Sequence, residues 1–131
     1  MQDVAFQDRL FINRQAGSGT RILLDFRLKA LGIDPAAIRG YQDEEFTHMA
    51  VAVNVLSGRA DVGMGIFAAA KALDLDFIPV VQERYDLIIS EKFWEEEKIQ
   101  ALLSVIRSKE FQEAVRGLGG YELTQTGEVL F

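Results

Sequence analysis

Residues 11–21 read FINRQAGSGTR, and ILLDF follows at 22–26. A short apolar start, a turn holding two glycines, a serine and a threonine, and then a renewed apolar period predict a strand, a tight turn and a helix. The strand is expected near 9–13. The helix is expected over TRILLDFRLKALG, with Ile22, Leu23, Phe26 and Leu31 near one face and Gly32 as its stop.

The pattern continues downstream. IDPAAIRGYQ places a proline at a turn or short helix, and Ile38–Gln42 reads as a second short strand. DEEFTHMAVAVNVLSG reads as a helix, its acidic residues in the first turn where the helix dipole favours them and Ser57-Gly58 at its end. ADVGMGI then reads as a buried strand, FAAAKALD as a short helix, and DFIPVV and YDLIIS as further strands. Two amphipathic helices, WEEEKIQALLSVIRS and KEFQEAVRGLG, precede a polar, glycine-punctuated tail. Strands alternating with helices predict an α/β fold with a mainly parallel sheet flanked by helices.

In an open α/β sheet, ligands bind beyond the carboxyl ends of the strands, where helices begin. The 14–20 turn occupies such a place. A helix start carries unpaired N–H groups and the positive end of a dipole, and Gly17 and Gly19 let an anion approach the backbone closely. Ser18 and Thr20 add hydroxyl donors, while Arg14 and Arg21 offer charge-assisted forks. Such a set suits a compact oxyanion. The plainer reading is that Ser18 is simply a helix N-cap and the glycines only shorten the connection. A phosphate-binding P-loop is excluded, because no Gly-Lys-Ser/Thr follows.

The 131-residue chain is long enough for one substantial core. It has 20 acidic and 14 basic residues, a formal charge of −6, and no basic block, so a nucleic-acid partner is not expected. It has no cysteine, which removes disulfides, thiolate metal sites and cysteine nucleophiles together. No apolar run is long enough to span a bilayer, and MQDVAFQDRL lacks a basic start and an apolar signal core. The chain as it stands reads as cytoplasmic, with no membrane association.

The stretch RQAGSGT matches the Arg-x-x-Gly-Ser-Gly-Thr pattern of phosphate-binding proteins of ABC transporters and resembles the Ser-Gly-Thr turn of tungstate-binding proteins. FINRQAGSGTRILLDF, GYQDEEFTHMAVAVNVLSGRADVGMGI, LDFIPVVQERYDLII and LGGYELTQTGE together resemble the periplasmic-binding-protein-like (type II) domain fused to molybdopterin biosynthesis proteins or to molybdate-responsive, LysR-like regulators. The resemblance covers nearly the whole chain. It implies that Arg14, Ser18, Gly19 and Thr20 contact an anion, with molybdate or tungstate favoured. It also implies two lobes closing on the ligand, and the order of the motifs here begins at the strand that opens the second lobe. Residues 1–131 are therefore expected to form one substrate-binding-like domain, a second lobe with its closing C-terminal helices, completed by a missing first lobe or by a second copy of the chain as a homodimer.

Other constellations carry less. Glu45-x-x-His48 has the spacing of di-metal carboxylate helices, but His48 is the sole histidine, and no metal or other cofactor is expected. Thr47 and His48 are expected near the start of the second helix, facing the same cleft, where an imidazole can donate to an anion. GMGIFA at 63–68 fits a dinucleotide fingerprint with Glu83 as a ribose acid, but its helix is too short for that role. In the resembling family this stretch is a buried strand, which makes Gly63 a packing residue and Gly65 a neighbour of the ligand. Phe111, Val115 and Leu118 read as core, and Tyr85 and Tyr121 as residues able to reach a cleft.

No nucleophile elbow is present, and a serine hydrolase would require His48 within reach of Ser18. The function expected is a non-catalytic sensor for a small oxyanion, linked to molybdenum cofactor biosynthesis or its regulation. The alternative is a LysR-type effector domain that seats a small organic carboxylate against an apolar wall near Tyr41, Met64 or Phe67. A purely structural interaction domain is a third reading, favoured if the turn is filled by its own side chains.

Overall fold

The computed structural model describes residues 8–130. The chain divides into two compact units that adjoin in sequence at Phe77 and Ile78. In the first, β1 (Phe11–Arg14) is followed by α1 (Gly19–Ala30), β2 (Glu44–Glu45), α2 (His48–Leu56), β3 (Val62–Gly63) and α3 (Phe67–Ala72). The three strands form a parallel sheet in the order β2-β1-β3. Asn13 and Arg14 pair with Glu44 and Glu45, and Phe11 and Ile12 pair with Val62 and Gly63.

Central position and covered faces explain why all four residues of β1 are buried. Successive side chains alternate between faces. Phe11 joins Leu24, Leu28 and Ile38 in one core cluster, and Ile12 joins Val51 and Ala60 in another. The α1 helix thus covers one face of the strand and α2 the other. At Gly63 a side chain would have no room, since a Cβ there would lie 2.5 Å from Val51. That crowding fits the packing role expected for Gly63. With only six residues in α3, no dinucleotide crossover follows, and Glu83 belongs to the other unit.

Several expectations are corrected. The buried stripe of α1 is Arg21, Leu24 and Leu28, whereas Ile22 and Phe26 are 59% and 67% exposed. A charged residue occupies the inward face because acidic and aromatic partners meet it there, as described below. The second strand is Glu44–Glu45 rather than 38–42. Residues 38–43 run beside β1, with Phe11 N–H donating to the Arg39 carbonyl and Asn13 N–H to that of Asp43, but two successive turns break their regularity. The following helix begins at His48, so Glu44 and Glu45 are strand residues and not a first helical turn.

In the second unit, α4 (Glu97–Arg107) and α5 (Lys109–Leu118) are the two expected helices. Ser108 ends the first and caps the second, its Oγ accepting from the Phe111 N–H at 3.1 Å. Phe111 and Val115 are half-buried, while Leu118 is exposed. The expected strands DFIPVV and YDLIIS are irregular, and Ile78, Leu87 and Ile88 are exposed. A β ladder needs a neighbouring strand, and none lies beside these segments among the described residues. Tyr85 is exposed and Tyr121 half-buried.

Candidate functional site

Because the sheet is parallel, the carboxyl ends of β1, β2 and β3 point the same way, and each is followed within a few residues by the start of a helix. Arg14 ends β1 and is 8% exposed. Its Nε donates to Gln15 Oε1 at 3.1 Å and its Nη2 to the Phe46 carbonyl at 3.1 Å. The buried Nη1 has no hydrogen-bond partner among the described residues. Leaving a buried cationic donor unmet is costly, and such a group calls for an acceptor from outside the described residues, a water or a bound anion.

The turn after Arg14 holds Gly17 at φ +85°, a conformation that glycine adopts without strain. It lets the Ser18 N–H bond back to the Gln15 carbonyl at 3.2 Å before α1 starts. Ser18 is the N-cap, its Oγ accepting from the Arg21 N–H at 3.2 Å. The plainer reading of Ser18 is therefore correct for its lone pair, and its hydroxyl proton remains a donor. Gly19 and Thr20 supply first-turn N–H groups, which have no acceptor within the helix. Open space lies where a Gly17 or Gly19 side chain would be.

At the second helix start, Thr47 Oγ1 accepts from the Ala50 N–H at 3.0 Å. His48 is the first helical residue, and its buried Nδ1 lies 3.7 Å from where a Gly65 Cβ would stand. The Phe46 carbonyl that holds Arg14 is one residue before Thr47. Arg14, the Ser18–Thr20 turn, Thr47–His48 and Gly65 thus lie at or just beyond the carboxyl ends of the three parallel strands. The Glu45-His48 helical pair does not form. Glu45 lies in β2 and accepts from Asn54 Nδ2 at 2.9 Å. Among the described residues no group of three or more His, Cys, Asp or Glu has the proximity to hold a metal ion.

Arg21 is the residue whose role the sequence reading misjudges. Far from offering a fork to a ligand, its Nη1 donates to Glu44 Oε1 at 2.8 Å and to the Arg14 carbonyl at 3.4 Å, and its Nε to Asp25 Oδ1 at 3.2 Å. Its guanidinium carbon sits 4.1 Å from the centre of the Tyr41 ring. Burial opposes its charge, but Tyr41 and Asp25 outweigh that and hold its pKa above the ordinary value. Tyr41 donates to Asp25 Oδ1 at 2.5 Å, and burial followed by this bond pushes the phenol above its usual pKa. The signal available in the sequence was the Arg21-x-x-x-Asp25 spacing, which joins side chains one helical turn apart. Asn13, 1% exposed, was also missed; it donates to the Tyr41 carbonyl at 3.0 Å and accepts from the Arg14 N–H.

The expected apolar wall is largely engaged elsewhere. Tyr41 and Met64 pack on the Phe11–Leu24–Leu28–Ile38 cluster. Phe67 meets Phe77 edge to face, with ring centres 5.3 Å apart.

An α/β unit with helix starts and donors at the carboxyl ends of parallel strands has the architecture in which ligands bind beyond the strand ends. Comparison with known families agrees: the PBP superfamily domain matches residues 1–107, and the chain belongs to that family of periplasmic-binding-protein-like domains, which are generally ligand-binding and not catalytic. The chain is 39% identical over 129 residues to the uncharacterized protein YvgK of Bacillus subtilis (strain 168), an alignment covering 98% of this chain and 41% of that relative. It is 40% identical over 110 residues to an uncharacterized protein in the ferredoxin 2Fe-2S gene 5′ region of Clostridium pasteurianum, covering 83% of this chain and 97% of that one. The chain thus spans less than half the length of the Bacillus relative. No solved structure matches it. No helix among the described residues is long and apolar enough to cross a membrane.

Proposed function

We propose that this protein is a non-catalytic sensor or carrier module that binds a small tetrahedral oxyanion, with molybdate or tungstate favoured. The observation that carries the proposal is the buried Arg14 guanidinium with its unmet Nη1, set beside two helix starts. Arg14 supplies the charge. Ser18, Gly19 and Thr20 offer a hydroxyl and N–H groups to the oxygens, and Thr47 and His48 approach from the second helix start, with Gly65 leaving room between them.

An acidic chain can hold an anion this way because local donors outweigh the diffuse field of distant carboxylates, which water and salt screen. The nearest acids are themselves engaged, Glu44 by Arg21 and Glu45 by Asn54. A further lobe, or a second copy of the chain, completes the cleft, and closure over the ligand is the signal passed to a partner concerned with molybdenum cofactor biosynthesis or its regulation. A carboxylate ligand of LysR-effector type is less well supported, since Tyr41 and Met64 are committed to the core.

Calorimetric titration with molybdate, tungstate, sulfate and phosphate tests the proposal. One of these anions is expected to bind, and Arg14→Ala to weaken it by about 2 kcal/mol, roughly 30-fold, as loss of a charge-assisted bond requires. The reading is overturned if no oxyanion binds, or if the variant binds as tightly as the parent. Binding of a carboxylate metabolite instead makes the turn an organic-acid seat.

A further inference from the structure

We infer that Asn54 is a positioning residue of the anion site: it holds the Glu45 carboxylate back along α2 and so leaves the Arg14 guanidinium to the ligand. This rests on the oxyanion reading above and assigns within it a role to a residue that makes no ligand contact. Glu45 is the register partner of Arg14. Residues paired across neighbouring strands point to the same face, with their backbones about 5 Å apart. Arg14 shares its face of β1 with Ile12, which packs against Val51, so both charged side chains stand on the side that α2 covers. A carboxylate and a guanidinium so placed are ready to form an ion pair. Instead, Arg14 donates to Gln15 Oε1 and to the Phe46 carbonyl, its Nη1 stays unmet, and Glu45 Oε1 accepts from Asn54 Nδ2 at 2.9 Å.

The place of Asn54 in α2 suits this role. The helix begins just beyond β2 and returns along the sheet, so Asn54 lies about 9 Å of helical rise past His48, away from the strand ends. Its Nδ2 also donates to the Ala50 carbonyl one turn earlier, at 2.9 Å, which fixes the amide where Glu45 meets it. An amide satisfies a carboxylate oxygen without carrying charge, so Glu45 is held and the charge of Arg14 is not neutralised. Without the amide, a free carboxylate stands one strand away from an unmet cationic donor. A charge-assisted bond is the strongest one open to it, and that bond would occupy the donor and set a negative charge where the anion must come.

The test is molybdate and tungstate titration of four proteins: the parent, Asn54→Ala, Glu45→Gln and the double variant, with thermal melts to confirm folding. Asn54→Ala is expected to bind about tenfold more weakly. Glu45→Gln is expected to stay within about threefold of the parent, because the carboxylate it removes is already held away from Arg14. The double variant should also return to within about threefold of the parent, a rescue that a purely structural role for Asn54 does not produce. The inference is overturned if Asn54→Ala binds like the parent, if the double variant stays as weak as Asn54→Ala, or if Glu45→Gln alone changes the affinity by more than that margin. Should Asn54→Ala not fold, Asn54→Asp, which keeps the shape and lacks the donor, takes its place in the same comparisons. If the parent binds no oxyanion, the proposed function falls and this inference with it; if the parent binds and Asn54→Ala binds equally well, only the inference falls.

Discussion

Arg14 and Arg21 are equally buried, at 8% exposure each, yet the regions around them are opposite in kind. Around Arg21 the charge is met on every side, by Glu44, Asp25 and the Tyr41 ring. Around Arg14 the neighbours are a glutamine oxygen and a single carbonyl, and one donor is left over. A buried cation that is fully paired contributes to specifying the fold, whereas one kept partly unmet is a cost to the fold that binding can offset. Two arginines seven residues apart thus divide the labour of the β1–α1 segment.

The largest effect should come from removing the floor beneath both regions. Leu24 is fully buried between α1 and β1, so Leu24→Ala should cost about 2–5 kcal/mol of stability in urea unfolding. Arg21→Met should cost less, about 2–3 kcal/mol, because it strands Glu44 and Asp25. Asp25 is 46% exposed at its side chain, so its share should shrink further in high salt. Without ligand, Arg14→Ala should change stability by less than about 1 kcal/mol, since it removes an unmet donor along with two weak bonds. A loss as large as that of Arg21→Met would erase the contrast between the two regions.

The smallest effect concerns Tyr41. Its folded pKa is raised, so the folded state keeps the phenolic proton longer than the unfolded chain does, and the associated stability is present below about pH 10 and lost as pH rises through the raised value. Melting temperatures measured from pH 8 to 11 should therefore fall less steeply at the alkaline end for Tyr41→Phe than for the parent.

Much of the first unit was legible in local pattern. The apolar FIN stretch, the glycine turn and the Ser57-Gly58 stop all describe interactions within a few residues, and β1, α1 and the end of α2 lie where they indicate. The start of α2 was misread because acidic residues before an apolar run look like a first helical turn, and only the pairing of Asn13 with Glu44 shows that strand β2 claims them. DFIPVV and YDLIIS have the residue types of strands, but composition does not supply the neighbour that a ladder needs.

The candidate site was legible to the same degree. Short-range chemistry named Arg14, Ser18, Gly19 and Thr20, because a turn, a cap and an unpaired helix start are properties of consecutive residues. Thr47, His48 and Gly65 follow β2 and β3, and it is the parallel order of the strands that turns those two ends the same way as the end of β1. What the sequence by itself determined is the set of donors carried by the first turn. Which arginine is spent inside the protein and which is left with a donor to offer was decided only by tertiary structure, because that depends on Glu44 and Tyr41, more than twenty and exactly twenty residues beyond Arg21, arriving against it when the sheet closes.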